Sequence, residues 1–374
     1  MILIKAQRQA LLRPLQMVSG IVERRHTLPI LSNVLIRKHG PSVSLISTDI
    51  EMQITSTVEM GSGPEEQATT VSARKFLDIL RALPTDDEVV VSLAGRKMSI
   101  AQGKSRFQLQ TLAAEEFPTV TPAQAYPASV SLSQKDLKQL LHLVHFSMAQ
   151  QDIRYYLNGL LLVIEGGQLR AVATDGHRLA YAALTASEAI TIQTESDKLE
   201  VIVPRKAIME LQKLLSDDDQ KIQIELAGNQ VKFQLASIEL ISKLIEGKFP
   251  DYQRVIPKGH TKHVPMSREA LLGSLTRAAI LTTDKFKGVR LSLASGLLKI
   301  SATNAEQEEA LEEIEVDYNG ESIDIGFNVQ YLMDVLANLR TDQIQLSLQD
   351  PNASALITTP NDPEFRYVVM PMRI

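Results

Sequence analysis

The sequence predicts an α+β protein built from one unit used three times, each unit made of two similar β-α-β-β-β halves with the helices on one face of the sheet. Self-similarity at a long period is the first sign. Residues 3–58, 130–184 and 264–315 each run as a short strand, an amphipathic helix and three strands around glycine- or proline-bearing turns. The anchors Asp49, Asp175 and Asn304 recur at the same strand end, 126 and 129 residues apart. The second sign is a matching set of later halves. "VSARKFLDILRALP" (71–84), "VIVPRKAIMELQKLLS" (201–216) and "IGFNVQYLMDVLANLR" (325–340) each read strand then helix, followed by strands of period-two alternation. The domains are expected at 1–126, 127–261 and 262–374.

The helices carry an apolar stripe. In the second unit Leu137, Leu140, Leu141, Val144 and Met148 fall on one face, and in the third Val329, Leu332, Met333 and Leu336 do the same. Helices are expected over 5–23, 73–82, 133–149, 204–215, 267–281 and 328–340. Their charges sum to +8, so the remainder of this −5 chain carries −13. Two readings of that split stand side by side. Solvated helix faces commonly carry Lys and Arg. Alternatively, the helices present one positive surface to a polyanion, which would hold a duplex backbone without reading its bases.

Composition narrows the class. Length alone suggests two or three domains, and 44% hydrophobic with 22% charged residues describes a globular chain. No apolar run approaches the ~18 residues of a membrane helix. The absence of cysteine excludes disulfides, thiolate zinc sites and thiol nucleophiles, and fits a cytoplasmic location. "ATDGHRLAYA" (173–182) packs an acid, a histidine and an arginine together, and a histidine- or metal-dependent hydrolase centred on 174–178 is one reading of it. The histidine pairs His142/His145 and His260/His263 lack a carboxylate at metal-ligand spacing, so neither a metal nor a cofactor is expected. Neither a phosphate loop nor a nucleophile–base pair appears. A repeat scaffold that does not bind DNA is a third reading.

Eight motifs in order over the whole chain, on the threefold repeat, resemble the bacterial DNA polymerase III beta subunit family, the replicative sliding clamps. They are "TLPILSN" (27–33), "QDIRYYLNG" (151–159), "ATDGHRLA" (173–180), "VPRKAI" (203–208), "GKFPDYQRVIP" (247–257), "KFKGVRL" (285–291), "NAEQEEALEE" (304–313) and "YVVMPMRI" (367–374). The resemblance implies the DNA-clamp fold. It also implies a head-to-tail homodimeric ring around double-stranded DNA, without sequence specificity and without catalysis. Its implied partners are the replicative polymerase alpha subunit, the clamp loader delta subunit, other polymerases, and mismatch-repair and ligase proteins, all docking through short linear motifs.

Three sites follow from the resemblance. A peptide pocket between the second and third domains would be formed by Leu157, Thr174, Gly176, His177, Arg178, Leu179, Pro250, Arg254, Val255, Phe286, Asn328, Tyr331, Ser354, Val368, Val369, Met370, Pro371, Met372 and Arg373. Such a pocket takes apolar anchors among adaptable aliphatic and Met side chains. The Val–Val pair reads as ordinary strand, but Pro371 between two methionines does not, because proline cannot donate to a ladder. Asn352 and Ile374 depart from the family's usual apolar residue and leucine. DNA contacts would come from Arg25, Gln151, Tyr155 and Tyr156 on loops and from Arg74, Arg81, Arg205 and Lys206 on helices. The subunit contact would set Phe107 and Leu109 against Ile280 and Leu281. Around it Lys104 and Arg106 would face Glu306, Glu308, Glu309, Glu312 and Glu313.

Overall fold

The computed structural model describes residues 1–22, 28–61, 63–84, 87–185, 191–192, 198–283, 287–360 and 362–374. Six β-α-β-β-β halves follow one another. The first holds β1 (Ile2–Gln7), α1 (Arg8–Val18), β2 (Asn33–His39), β3 (Ser42–Thr48) and β4 (Met52–Glu59). The second holds β5 (Gln67–Ser72), α2 (Ala73–Ala82), β6 (Glu88–Ala94), β7 (Lys97–Gln102) and β8 (Ser105–Leu112). The third holds β9 (Ala128–Ser133), α3 (Gln134–His142), β10 (Gly159–Glu165), β11 (Gln168–Thr174) and β12 (Arg178–Thr185). After the short β13 (Thr191–Ile192), the fourth holds β14 (Lys198–Pro204), α4 (Arg205–Leu214), β15 (Lys221–Leu226), β16 (Gln230–Leu235) and β17 (Ile238–Lys243). A single turn, α5 (Tyr252–Val255), precedes the fifth, with β18 (Lys262–Ser267), α6 (Arg268–Ala278), β19 (Gly288–Ala294), β20 (Leu297–Thr303) and β21 (Glu309–Glu315). The sixth holds β22 (Ile323–Asn328), α7 (Val329–Asn338), β23 (Gln343–Leu348), β24 (Ala355–Thr359) and β25 (Asp362–Val369).

The halves of each repeat are tied by exchanging their entering strands. β1 pairs with β6 while β5 pairs with β2; β9 pairs with β15 while β14 pairs with β10; β18 pairs with β23 while β22 pairs with β19. All these pairs are antiparallel, so each half supplies the strand that the other lacks. Successive repeats are then joined by their last strands: β4 pairs with β17, and β12 pairs with β25. The chain divides into two compact units that cut through the second repeat. One comprises 1–134, 188–195 and 209–244, the other 135–187, 196–208 and 245–374.

Helix α2 shows why these segments are helical. Phe76, Leu77 and Leu80 are buried on one face while Arg74, Lys75, Asp78 and Arg81 are exposed on the other, and the Ser72 side chain caps the Lys75 amide. Ser267 caps α6 and Asn328 caps α7 in the same way. The predicted helix over 133–149 is too long. It stops at His142, where the His145 ring, through Nδ1, reaches the carbonyls of Leu141 and His142 at 3.2 and 3.1 Å. Those carbonyls are satisfied by a side chain, and the backbone turns away into a 3₁₀ turn at His145–Ser147.

The charge split also needs revision. Lys5 lies in β1, paired with Glu88 at 3.2 Å. Arg8, the first residue of α1, is buried and donates to the carbonyls of Leu80 and Leu83 at the end of α2 at 3.1 and 3.0 Å. Arg268, the first residue of α6, does the same at the end of α7, reaching Leu336 and Thr341 at 3.0 and 2.8 Å. At the equivalent place in the second repeat stands Gln134, whose side-chain oxygen accepts from the Ser216 amide beyond α4 at 3.1 Å. These side chains stitch one helix to the end of its sister helix, where unpaired carbonyls and the helix dipole favour a cation. Arg8 and Arg268 are therefore structural, not part of a polyanion surface.

Candidate docking site

The "ATDGHRLA" stretch forms the turn between β11 and β12. The Asp175 carboxylate accepts the amides of His177 and Arg178 at 2.9 and 3.0 Å, and the Thr174 hydroxyl donates to the Arg178 carbonyl at 2.6 Å. The Gly176 amide returns to the Thr174 hydroxyl at 3.0 Å. The same four bonds recur between β3 and β4: Asp49 takes the amides of Glu51 and Met52, and Thr48 bonds Met52 and Ile50. The central residue has positive φ in both, +79° at Ile50 and +90° at Gly176. The third copy is not the same turn. Thr303 pairs with Glu309, one residue further on than in the other two, and the positive φ moves to Gln307. The acid at this position is thus a turn-former in the first two repeats, and a longer loop replaces that turn in the third.

Glycine also suits position 176 for a second reason. A Cβ there would stand 2.8 Å from the Arg154 guanidinium, which is held by Asp152 at 2.8 Å and donates to the Asp175 carbonyl at 3.1 Å. Arg154 lies in "QDIRYYLNG", outside "ATDGHRLA", and is not among the expected pocket residues. Its hydrogen bonds hold the Asp152 carboxyl down at about 2, well below the usual carboxylate range.

Arg178 is the hub. Its side chain is only 9% exposed, and it reaches Asp175 at 3.1 Å, Asp334 on α7 at 2.5 Å and the Phe146 carbonyl at 2.7 Å. It also lies 4.5 Å from the centre of the Tyr331 ring. Burial works against the charged guanidinium, but the Asp334 and Asp175 carboxylates outweigh it and hold its pKa above the ordinary value. Burial also pushes the Tyr367 phenol up, so it stays protonated and donates to the Tyr331 carbonyl at 2.8 Å. His177, in contrast, is exposed and lies against the Tyr331 ring at 6.5 Å between centres. Both Asp175 oxygens are committed, one to backbone amides and one to Arg178.

The C-terminal segment completes the site. β25 pairs with β12 so that Val369 faces Arg178 and Val368 faces Leu179, and the Met370 amide donates to the His177 carbonyl at 2.9 Å. The chain then leaves the ladder at Pro371, and the Met372 amide finds the Gly326 carbonyl at 2.8 Å. Ile374 lies against Gly288 and Gly326, where a Cβ would meet its side chain at 3.3 and 2.6 Å. Leu157, Thr174, Leu179, Val368 and Val369 are buried, Leu179 and Val368 on one face of the sheet as a floor and Val369 on the other face beside Arg178; Val255, Met370, Met372 and Ile374 are exposed apolar groups. Arg254 is exposed and paired with Asp251 at 3.0 Å, and Pro250 and Tyr331 are half-buried. Asn328 uses its side chain as the α7 cap, and the Ser354 carbonyl faces the His260 ring at 2.9 Å. Arg373 is exposed. Phe286 lies outside the described residues. Sequence reasoning missed Phe146, Asp334 and Tyr367, which position Arg178 from distant elements without any local signal.

The other expected sites are placed as follows. Gln151 has φ +56°, Tyr155 is 58% exposed, and its ring meets Tyr156 edge to face at 5.9 Å. Arg74 and Arg81 are exposed; Lys206 is half-buried. Arg205 donates to the Met148 carbonyl at 3.1 Å, and burial with the neighbouring Arg178 lowers its pKa, so at least part of its role is to hold the fold. Arg25 lies outside the described residues. Phe107 and Ile280 are exposed, at 36% and 75%, with Leu109 and Leu281 half-buried. Lys104, Arg106, Glu306, Glu308 and Glu309 are exposed. Glu312 and Glu313 already have partners within the chain, Arg277 and Lys299. Among the described residues, no cluster of three or more His, Asp or Glu could hold a metal.

Six β-α-β-β-β halves with exchanged entering strands, joined through last strands, define a DNA clamp. Family models of the DNA polymerase III beta subunit match the chain in three consecutive stretches: the N-terminal domain over 2–121, the central domain over 131–251 and the C-terminal domain over 253–373. The chain belongs to this family. It is 48% identical to the beta sliding clamp of Pseudomonas putida over 370 residues, 98% of this chain and 99% of the relative. To the beta sliding clamp of Escherichia coli K12 it is 42% identical over 368 residues, again 98% and 99%. The crystal structure of the Pseudomonas aeruginosa DNA polymerase sliding clamp with ligand superposes with a TM-score of 0.94 at 45% identity, covering all of both chains. The function is that of a DNA sliding clamp, a non-catalytic processivity factor, which rules out the hydrolase reading of 174–178.

Proposed function

We propose that two copies close head to tail into a ring around duplex DNA and that the β11–β12 turn docks partner peptides. One observation carries the ring. β4, the last strand of an odd half, pairs with β17, the last strand of the next repeat's even half; β12 pairs with β25 by the same rule. Applied once more, the rule asks β21 to pair with the last even-half strand of a next repeat, which is β8 of a second copy. Both edges fit. β21 has β20 as its one neighbour, and β8 pairs with β5 only at Thr111 and Leu112, so its edge over 105–110 is open among the described residues. Lys104 and Arg106 flank one edge and Glu306, Glu308 and Glu309 the other, while Phe107 and Leu109 would meet Ile280 and Leu281. Closure at two subunits covers the β8 and β21 edges, which would otherwise be free to seed aggregation.

Domains over 1–126, 127–261 and 262–374 suit this reading, since β9 opens at Ala128 and β18 at Lys262. Arg25, Gln151, Tyr155, Tyr156, Arg74, Arg81 and Lys206 would meet DNA by charge and stacking, with affinity falling steeply with salt. The polymerase alpha subunit, the clamp loader delta subunit, other polymerases, and mismatch-repair and ligase proteins would share the pocket in the cytoplasm, at replication forks. The test is the solution mass. Twice the chain mass is expected for the intact protein and the single-chain mass for Ile280→Asp; a wild-type chain that stays at 41.4 kDa would overturn the ring. Deleting Met370–Ile374 should leave the dimer and weaken polymerase and loader binding; a dimer that falls apart would count against the docking assignment.

A further inference from the structure

A second cavity opens on the sheet face that carries Leu179 and Val368. It measures about 450 Å³ and is walled by Arg170, Tyr181, Tyr252, Ile256, Lys258 and Arg366. Strand alternation puts it in line with the docking floor. Tyr181 follows Leu179 on the same face of β12, and Arg366 precedes Val368 on the same face of β25, each about 7 Å along. Tyr181, Tyr252, Leu179 and Val368 share one buried cluster, against which Ile256 and Leu356 pack. On α5, Tyr252 turns into this cluster while Arg254 and Val255 are exposed.

The cavity is aromatic and cationic. The Tyr181 and Tyr252 rings stack at 5.8 Å, and the Arg366 guanidinium lies 5.3 Å from the centre of Tyr181. Arg170 is committed to Glu165 at 2.5 Å and to Gln168. The Arg366 and Lys258 side chains have neither an ion pair nor a hydrogen bond among the described residues. The Tyr252 hydroxyl is buried beside the Arg170 guanidinium, without a hydrogen bond of ordinary geometry among the described residues. Glu364, which precedes Arg366 on the same strand face, is the other anion facing Tyr181. Three cations against two carboxylates, one of them already paired, leave a surplus of positive charge beside apolar and aromatic walls.

We propose that this cavity is an acidic subsite: it takes an Asp or Glu side chain that flanks the apolar anchors of a docked partner peptide. The inference rests on the docking reading above and names the chemistry that reading lacks. Arg366 and Lys258 supply charge-assisted bonds to the carboxylate, and the tyrosine rings and Ile256 cover its stem. An extended peptide rises about 3.3 Å per residue, so the acid sits two or three residues from the anchor over Leu179 and Val368.

The test uses the full-length protein and labelled decapeptides with one leucine–phenylalanine anchor pair, flanked by two Asp or by two Ser. The wild type should bind the Asp peptide about tenfold more tightly at low salt, with the preference shrinking as salt rises. Arg366→Gln with Lys258→Gln should erase that preference and leave the Ser peptide within twofold, while Arg366→Lys should keep most of it. Equal affinity of both peptides for the wild type would overturn the subsite and leave the docking reading standing. Equal loss of both peptides in the double variant would also overturn it, as would loss confined to a single-stranded oligonucleotide. Failure of both peptides to bind the wild type at all would overturn the docking reading and the subsite together.

Discussion

The turns at Thr48–Met52 and Thr174–Arg178 share one hydrogen-bond skeleton and lie at equivalent strand junctions, yet one is sealed and the other open. In the first, the Glu51 carbonyl accepts the Lys243 amide at 2.9 Å, and the two side chains pair at 3.1 Å over the junction. In the second, the His177 carbonyl accepts the Met370 amide in the same way, but no ion pair between those two residues follows; exposed methionines and a proline do. Met52 is a plain buried residue where Arg178 is a buried cation tied to α7. Three changes on a shared scaffold (Ile50 to Gly176, Glu51 to His177, Met52 to Arg178) separate a structural corner from the proposed docking wall. Function here is written on top of a turn, not into it.

The largest way to break this difference is to give the second turn the first one's residue. Arg178→Met removes the cation but leaves Asp175 and Asp334 facing each other. We expect a loss of about 3 kcal/mol, at the low end for a broken buried pair because Asp334 keeps some solvent. Denaturant unfolding should show this, and adding Asp334→Asn should recover part of the loss; full stability of the single variant would remove Arg178 from its structural role.

A smaller effect comes from the turn centre. Gly176→Ala puts a Cβ at φ +90° and 2.8 Å from Arg154, and should cost about 1–2 kcal/mol. Ile50→Gly relieves a β-branched residue at φ +79° and should be neutral or stabilising by up to about 1 kcal/mol. Opposite signs in thermal unfolding are the signature; equal signs would mean that the two turns are not the same structure.

The smallest effect is a pH dependence beside the Arg178 network. Burial lowers the His145 pKa below 6.5, aided by His142 and Arg205 and only partly opposed by the carbonyls of His142 and Leu141. The neutral ring is the form the fold prefers, so the unfolded chain binds the extra proton. Stability should therefore fall as pH drops below about 6.5 until the folded pKa is passed. His145→Gln should flatten unfolding midpoints measured across that window; an unchanged slope would assign it to another group.

Much of this architecture is legible in the sequence because it is local. Period-two strands and apolar helix stripes mark six halves, and Thr-Asp at 48–49 and 174–175 marks the shared turn. Elements that depend on partners far along the chain are not legible. Arg8 and Arg268 read as surface charges until the carbonyls at the ends of α2 and α7 reach them. The strand exchange joins segments such as β1 and β6, which nothing local distinguishes from β1 and β2. The 133–149 helix was overextended because Val144 and Met148 keep the helical period after the backbone has left it. At the proposed docking site the motif marks Asp175, His177 and Arg178, but not that Asp334, Phe146 and Tyr367 hold Arg178 in place.

Closure of two chains around DNA by the junction rule is tested most directly by retention on DNA circles. Protein loaded onto a nicked circular duplex should stay bound through gel filtration and be released when the circle is linearised. Equal release from circular and linear DNA would contradict the account.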